Sequence, residues 1–149
     1  MDKQVIIVGG GPVGLYLGCQ LRLAGIACDI IEQRTARSTH SRSIGVHPPA
    51  MKRLLDIGVG DELVKRGVRV RQGHAFSDGH ALGTLSFDVL RPPVQWVLAV
   101  PQHITEAALE WRFESLGGPV RRGHAVTGLQ QDEHTVTVEQ RSAEGHSTQ

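Results

Sequence analysis

The stretch VIIVGGGPVGL, residues 5–15, constrains what this chain can fold into more than any other. Four apolar residues run straight into three glycines, a proline and a fourth glycine. An all-apolar, β-branched run suits a strand buried on both faces of a parallel sheet. Glycine and proline end it, because one is entropically costly to order and the other lacks an amide donor. From Pro12 to Ala24 the apolar residues Val13, Leu15, Leu17, Leu21 and Leu23 alternate with small ones, which predicts a helix packed closely against the sheet. Pro12 suits its first turn, where a missing N–H costs nothing, and Gly25 suits its end. Ala27–Ile31 reads as a second apolar strand, closed by Glu32. Residues 3–32 thus form one βαβ unit.

Within that unit Gly9, Gly11 and Gly14 satisfy G-x-G-x-x-G. The pattern is weak alone and strong between a buried strand and a helix that opens on a proline. Its glycines have separate tasks. Gly9 permits the tight turn off the strand, Gly11 lets a pyrophosphate approach the backbone, and Gly14 lets the helix lie close to the sheet. The helix N-terminus offers unpaired N–H groups and the positive end of its dipole to phosphates. Glu32 stands 18 residues after Gly14, where a carboxylate accepts hydrogen bonds from ribose hydroxyls and repels a 2′-phosphate. These features specify an ADP moiety and leave NAD and FAD open.

Elsewhere the signals are ordinary. Net charge is +1, so no global field draws the chain to nucleic acid or to an anionic membrane. Aromatic residues make up 4%, too few for a stacking surface for single strands. No run is long and apolar enough for a membrane span, and no signal peptide is evident. Cys19 and Cys28 read as small buried hydrophobes, consistent with a reducing, cytoplasmic setting. The eight histidines are scattered, without the spacing of a metal site.

Gln33–Pro49 is polar and basic. Ala50–Ile57 predicts a helix stopped by Gly58, and Asp61 a cap for a short helix through Val64. Val68–Phe76 and Ala81–Leu90 predict two strands joined by the hairpin signal Ser-Asp-Gly-His. Val94–Val100 predicts a strand and Ile104–Leu116 a helix closed by Gly117-Gly118. Val120–Val126 and Thr135–Val138 are strand-like, and Arg141–Gln149 reads as a frayed tail. Trp96 and Trp111 read as packing residues, and Arg34 and Arg37 as solvated.

Four segments together carry a resemblance: VGGGPVGL, IIEQR, SRSIGVHPPAMKRLLDIGV and VPQHITEAAL. In this order and spacing they resemble the N-terminal portion of the class A flavoprotein monooxygenases, the aromatic hydroxylases of the p-hydroxybenzoate hydroxylase type, including phenol and polyketide hydroxylases. The resemblance implies an α/β fold: a Rossmann-like, FAD-binding βαβ domain over residues 1–149, in which 68–100 begin the β-sheet of a substrate domain. It implies FAD as cofactor and NAD(P)H as co-substrate. Gly9, Gly11, Pro12, Val13 and Gly14 would form the pyrophosphate turn, with Glu32 and Gln33 at the adenosine ribose. Arg42 matches the family's arginine near the flavin and phosphates, and Gln102 a glutamine that contacts the cofactor.

In that family the reduced flavin activates O₂ and places one oxygen atom on an aromatic ring. The cofactor carries that chemistry, so no protein group is singled out as catalytic. Relative to the family the chain reads as truncated. Asp78-Gly79 lies too early for the family's later Asp-Gly segment and belongs to the hairpin. The chain alone is expected to bind the ADP half of FAD weakly and to hydroxylate nothing. NADPH oxidation with added FAD and phenols, above a no-protein control, would refute that expectation. Two alternatives stay open: a dinucleotide-binding module without turnover, and an NAD-dependent reductase. The sequence leaves the aromatic substrate and the oligomeric state unspecified.

Overall fold

The structure, a computed structural model, describes residues 5–37, 39, 44–142 and 145–148. The chain divides into two compact units, Met1–Ser38 with Leu109–Gln149, and Thr39–Ala108.

The first unit begins with β1 (Val5–Val8), α1 (Pro12–Leu23) and β2 (Cys28–Glu32). β1 and β2 run parallel, from Val5 beside Cys28 to Val8 beside Ile31, so the expected βαβ unit forms. Burial differs from expectation. Among the described residues, β2 is the central strand of this sheet and β1 lies at an edge. β2 is buried at all five residues, whereas Val8 is 62% exposed. The buried face of α1 is Leu15, Gly18 and Cys19, and Val13, Leu17 and Leu23 face away from it, exposed.

The second unit holds β3 (Gly45–Val46), α2 (Pro48–Asp56), α3 (Gly60–Arg66), β4 (Val68–Val70), β5 (Gln72–Ser77), β6 (His80–Ser86) and β7 (Val97–Ala99). β7 lies between β3 and β4, antiparallel to both. Helix α2 starts at Pro48, earlier than expected, because prolines fit the first helical positions, where their missing N–H groups would have no partner. Asp61 is not the cap of α3. Val59 is, with no capping side chain, and Asp61 sits in the first turn, where its charge favours the helix dipole.

The strand expected over 68–76 is two strands, because the chain changes partner at Arg71: β4 pairs with β7 and β5 with β6. β6 stops at Ser86, short of Leu90. The next residues form a turn closed by Leu90 N–H on the Phe87 carbonyl, and Gln95 Nε2 donates to the carbonyls of Asp88 and Leu90 at 2.6 and 2.8 Å. The hairpin turn is as expected, with Ser77 beside His80. Asp78 and Gly79 have φ of 48° and 80°, the two positive values that a type I′ turn requires.

Helix α4 (Gln102–Ser115) runs across the boundary in sequence between the units. The first unit then resumes with β8 (Val120–Arg122), β9 (Ala125–Gln131), β10 (Val136–Ser142) and β11 (Gly145–Thr148). β8 extends the parallel sheet beside β2, and β9 and β11 flank β10 antiparallel. The strand expected over 120–126 is therefore interrupted, at the Gly123 turn. The tail expected to fray pairs from Gly145 to Thr148 along β10.

The core of the first unit gathers Leu15, Cys19, Cys28, Ile30, Ile31, Leu109 and Phe113, all at most 1% exposed. Neither cysteine is in a disulfide. Burial raises the Cys19 thiol to about 11, with Arg112 opposing and Cys28 reinforcing the shift. That of the second unit contains Met51, Ile57, Leu63 and Leu98. Trp96 is buried beneath the Arg69 guanidinium, 5.1 Å from its ring centroid. Trp111 does not pack as expected and is 66% exposed. Among the described residues no helix is long and apolar enough to cross a membrane.

Candidate cofactor site

The turn after β1 is built by backbone geometry. Gly9 has φ of +109°, a conformation that residues with a Cβ rarely adopt. Its N–H donates to the Ile31 carbonyl at 2.8 Å, tying the turn to the end of β2. Gly14 sits where the helix passes over the strand. A Cβ there would overlap the Gly9 carbonyl oxygen and lie 3.2 Å from Ile7 Cγ2, so only glycine permits this approach. Gly11 is different, since a Cβ there would meet nothing within 4 Å. The space beside it is open.

Gly11 is the N-cap of α1, with Pro12 at the first helical position and no side chain capping the end. The first helical hydrogen bond runs from Leu15 N–H to the Gly11 carbonyl at 3.0 Å. The N–H groups of Gly11, Val13 and Gly14 precede it, at the positive end of the helix dipole.

Glu32 closes β2 and is 4% exposed. Its Oε2 accepts from Gly10 N–H at 2.7 Å. Its Oε1 accepts from Arg34 N–H at 2.9 Å and from Arg34 Nε at 3.1 Å. Burial by itself would raise the pKa of this carboxyl. The hydrogen bonds from the Arg34 side chain, the Arg34 amide and Gly10 outweigh burial and hold it below its ordinary value. Glu32 is thus an ionised acceptor fixed against the glycine turn.

Two participants escape a reading of the sequence. Gly10 occupies an unspecified position of the glycine motif, yet a Cβ there would lie 3.1 Å from Glu32 Cβ and 3.3 Å from its Oε2. The triple glycine is the only signal for it. Arg34, expected to be solvated, pairs with Glu32. Arg37, also expected to be solvated, donates to Glu110 at 3.3 Å. The buried Glu110 carboxylate also takes three short contacts from Arg122, on β8.

The structure brings together Gly9, Gly11, Pro12, Val13, Gly14, Glu32 and the exposed Gln33. Gln102 opens α4 within the second unit and donates to Glu106 at 2.7 Å. Arg42 lies outside the described residues.

A glycine turn off a parallel strand, an uncapped helix N-terminus and a buried carboxylate ending the second strand define a dinucleotide-binding domain. The comparison with known proteins narrows this. The chain belongs to the FAD binding domain family, whose model matches residues 2–149. It is 41% identical over 146 residues to the anhydrotetracycline monooxygenase of Streptomyces rimosus, a match covering 97% of this chain and 28% of that protein. The crystal structure of p-nitrophenol 4-monooxygenase from Pseudomonas putida DLL-E4 superposes with a TM-score of 0.92 at 25% identity, over 98% of this chain and 38% of that one. Aklavinone-11 hydroxylase, solved with FAD and aklavinone, gives a TM-score of 0.83 at 26% identity, over 99% and 31%. The chain therefore spans little more than a quarter of the length of its curated relatives.

Proposed function

We propose that this chain holds the ADP half of FAD as the N-terminal FAD-binding part of a monooxygenase. The class of substrate is an aromatic or polyketide-like small molecule, with NAD(P)H as co-substrate and O₂ as oxidant. The observation that carries the reading is Glu32, an ionised and buried carboxylate held against the glycine turn. The open space at Gly11 and the uncapped start of α1 fit a pyrophosphate beside it.

Each residue then has a task. The N–H groups of Gly11, Val13 and Gly14 donate to phosphate oxygens, with Pro12 fixing the helix start. Glu32 accepts from the adenosine ribose, with Gln33 beside it. Arg42 contributes cationic charge to the phosphates and Gln102 a side-chain amide to the cofactor. Residues 68–100 begin the sheet of the substrate domain. When bound, the flavin supplies the electron transfer and oxygen activation, while the protein's share is to bind and orient.

The test is calorimetric titration with FAD and with ADP. The full chain binds both, and Glu32→Ala weakens both by at least about tenfold, as expected for losing hydrogen bonds to a charged acceptor. Equal affinities in the two proteins would sink the role given to Glu32.

A further inference from the structure

We propose that Arg34 is a positioning residue for the adenosine end of the site, acting through Glu32; this rests on the FAD-binding reading above. An ionised carboxylate offers about four lone-pair positions. Arg34 fills two of them on Oε1, with its amide and its Nε. Gly10 N–H fills one on Oε2. The acceptor position left for a ribose hydroxyl is therefore on Oε2, the oxygen that faces the glycine turn. Arg34 decides this, because it holds the carboxylate plane by its other oxygen.

Arg34 is itself held. Its carbonyl accepts from Gly123 N–H at 3.2 Å, and the neighbouring His124 N–H donates to the Glu32 carbonyl at 3.1 Å. The turn after β8 thus grips the chain on both sides of Gln33. Gly123 makes this turn with φ of +75°, and a Cβ there would lie 3.4 Å from Thr35 Cγ2. The Arg34 side chain is 46% exposed, against 5% for that of Glu32. Removing the guanidinium leaves the backbone bonds in place and takes from Oε1 of the carboxylate its side-chain donor.

A double-mutant cycle read by calorimetric titration with 5′-ADP tests this. Arg34→Gln is expected to weaken ADP binding about fivefold, in keeping with a half-exposed charged contact, with a modestly lowered melting temperature at neutral pH, because buried Glu32 loses the side chain that most offsets its burial. In a Glu32→Ala background the same substitution is expected to change affinity less than about 1.5-fold, because the group it positions is gone. Arg34→Lys, which keeps a donor of the same charge, is expected to recover part of the loss. A fivefold loss that persists without Glu32 would show Arg34 touching the ligand directly and would overturn the proposal. So would an Arg34→Gln protein that binds ADP like the parent. If the unaltered chain fails to bind ADP, the FAD-binding reading falls and the positioning role with it.

Discussion

The glycines at 9, 11 and 14 share one motif, and the structure predicts three different outcomes when each becomes alanine. At Gly14 the added methyl would overlap the Gly9 carbonyl oxygen and crowd Ile7. A backbone oxygen cannot rotate aside, so the helix must lift from the strand. Overpacking of this kind costs about 1–3 kcal/mol, and better helix propensity returns up to about 1 kcal/mol. A net loss of about 1–2 kcal/mol lowers the melting temperature of a chain of this size by about 2–8 °C. At Gly9 there is room for a methyl but φ is +109°, so strain of about 1–3 kcal/mol lowers the melting temperature without a clash.

Gly11 separates folding from binding. Its φ of −82° and ψ of −178° are open to any residue, and a methyl meets nothing. Alanine there restricts the unfolded chain, a gain of about 0.4–1 kcal/mol, but is a poorer N-cap than glycine, so the two effects oppose. The melting temperature is therefore expected to stay close to the parent's. ADP affinity is expected to fall about tenfold or more, because the methyl occupies the space a phosphate needs and a charge-assisted hydrogen bond is lost. Thermal melts followed by circular dichroism and calorimetric titration with ADP read the two quantities separately. Gly11→Ala binding ADP within about twofold of the parent would refute the phosphate-approach argument. Gly14→Ala melting with the parent would refute the packing argument.

Two further outcomes follow from the core and from Glu32. Phe113 is fully buried against Gly18, where a Cβ would come within 2.8 Å of the ring, so Phe113→Ala is expected to cost about 3–5 kcal/mol; an unchanged urea midpoint would contradict that packing. The Glu32 pKa is lowered in the folded chain, so its contribution to stability is complete above the ordinary carboxylate pKa and is lost as pH falls through the lowered folded value. Glu32→Gln is therefore expected to flatten the acid limb of a stability–pH curve, and two superimposable curves would count against it.

What the sequence shows about this fold is what local chemistry determines. Pro12 marks a helix start, Glu32 ends a strand, and Asp78-Gly79 makes a turn, each from its own residue type and immediate neighbours. What it hides is set by partners. Val5–Val8 is equally apolar whether it lies at the centre or the edge of a sheet; among the described residues β2 is its one neighbour, and Val8 is exposed. The run from Val68 alternates in the same way through Arg71, and only its change of partner divides it in two.

At the site the same distinction decides which residues were visible. Gly9, Gly11 and Gly14 follow from the demands of a phosphate turn. Gly10 and Arg34 depend on where the Glu32 side chain lies after the chain has doubled back, and that follows from the parallel register of β1 and β2 and the turn at Gly123. The middle glycine of the run, Gly10, is thus favoured by a side chain 22 residues away, whose contact with it places the carboxylate against the turn.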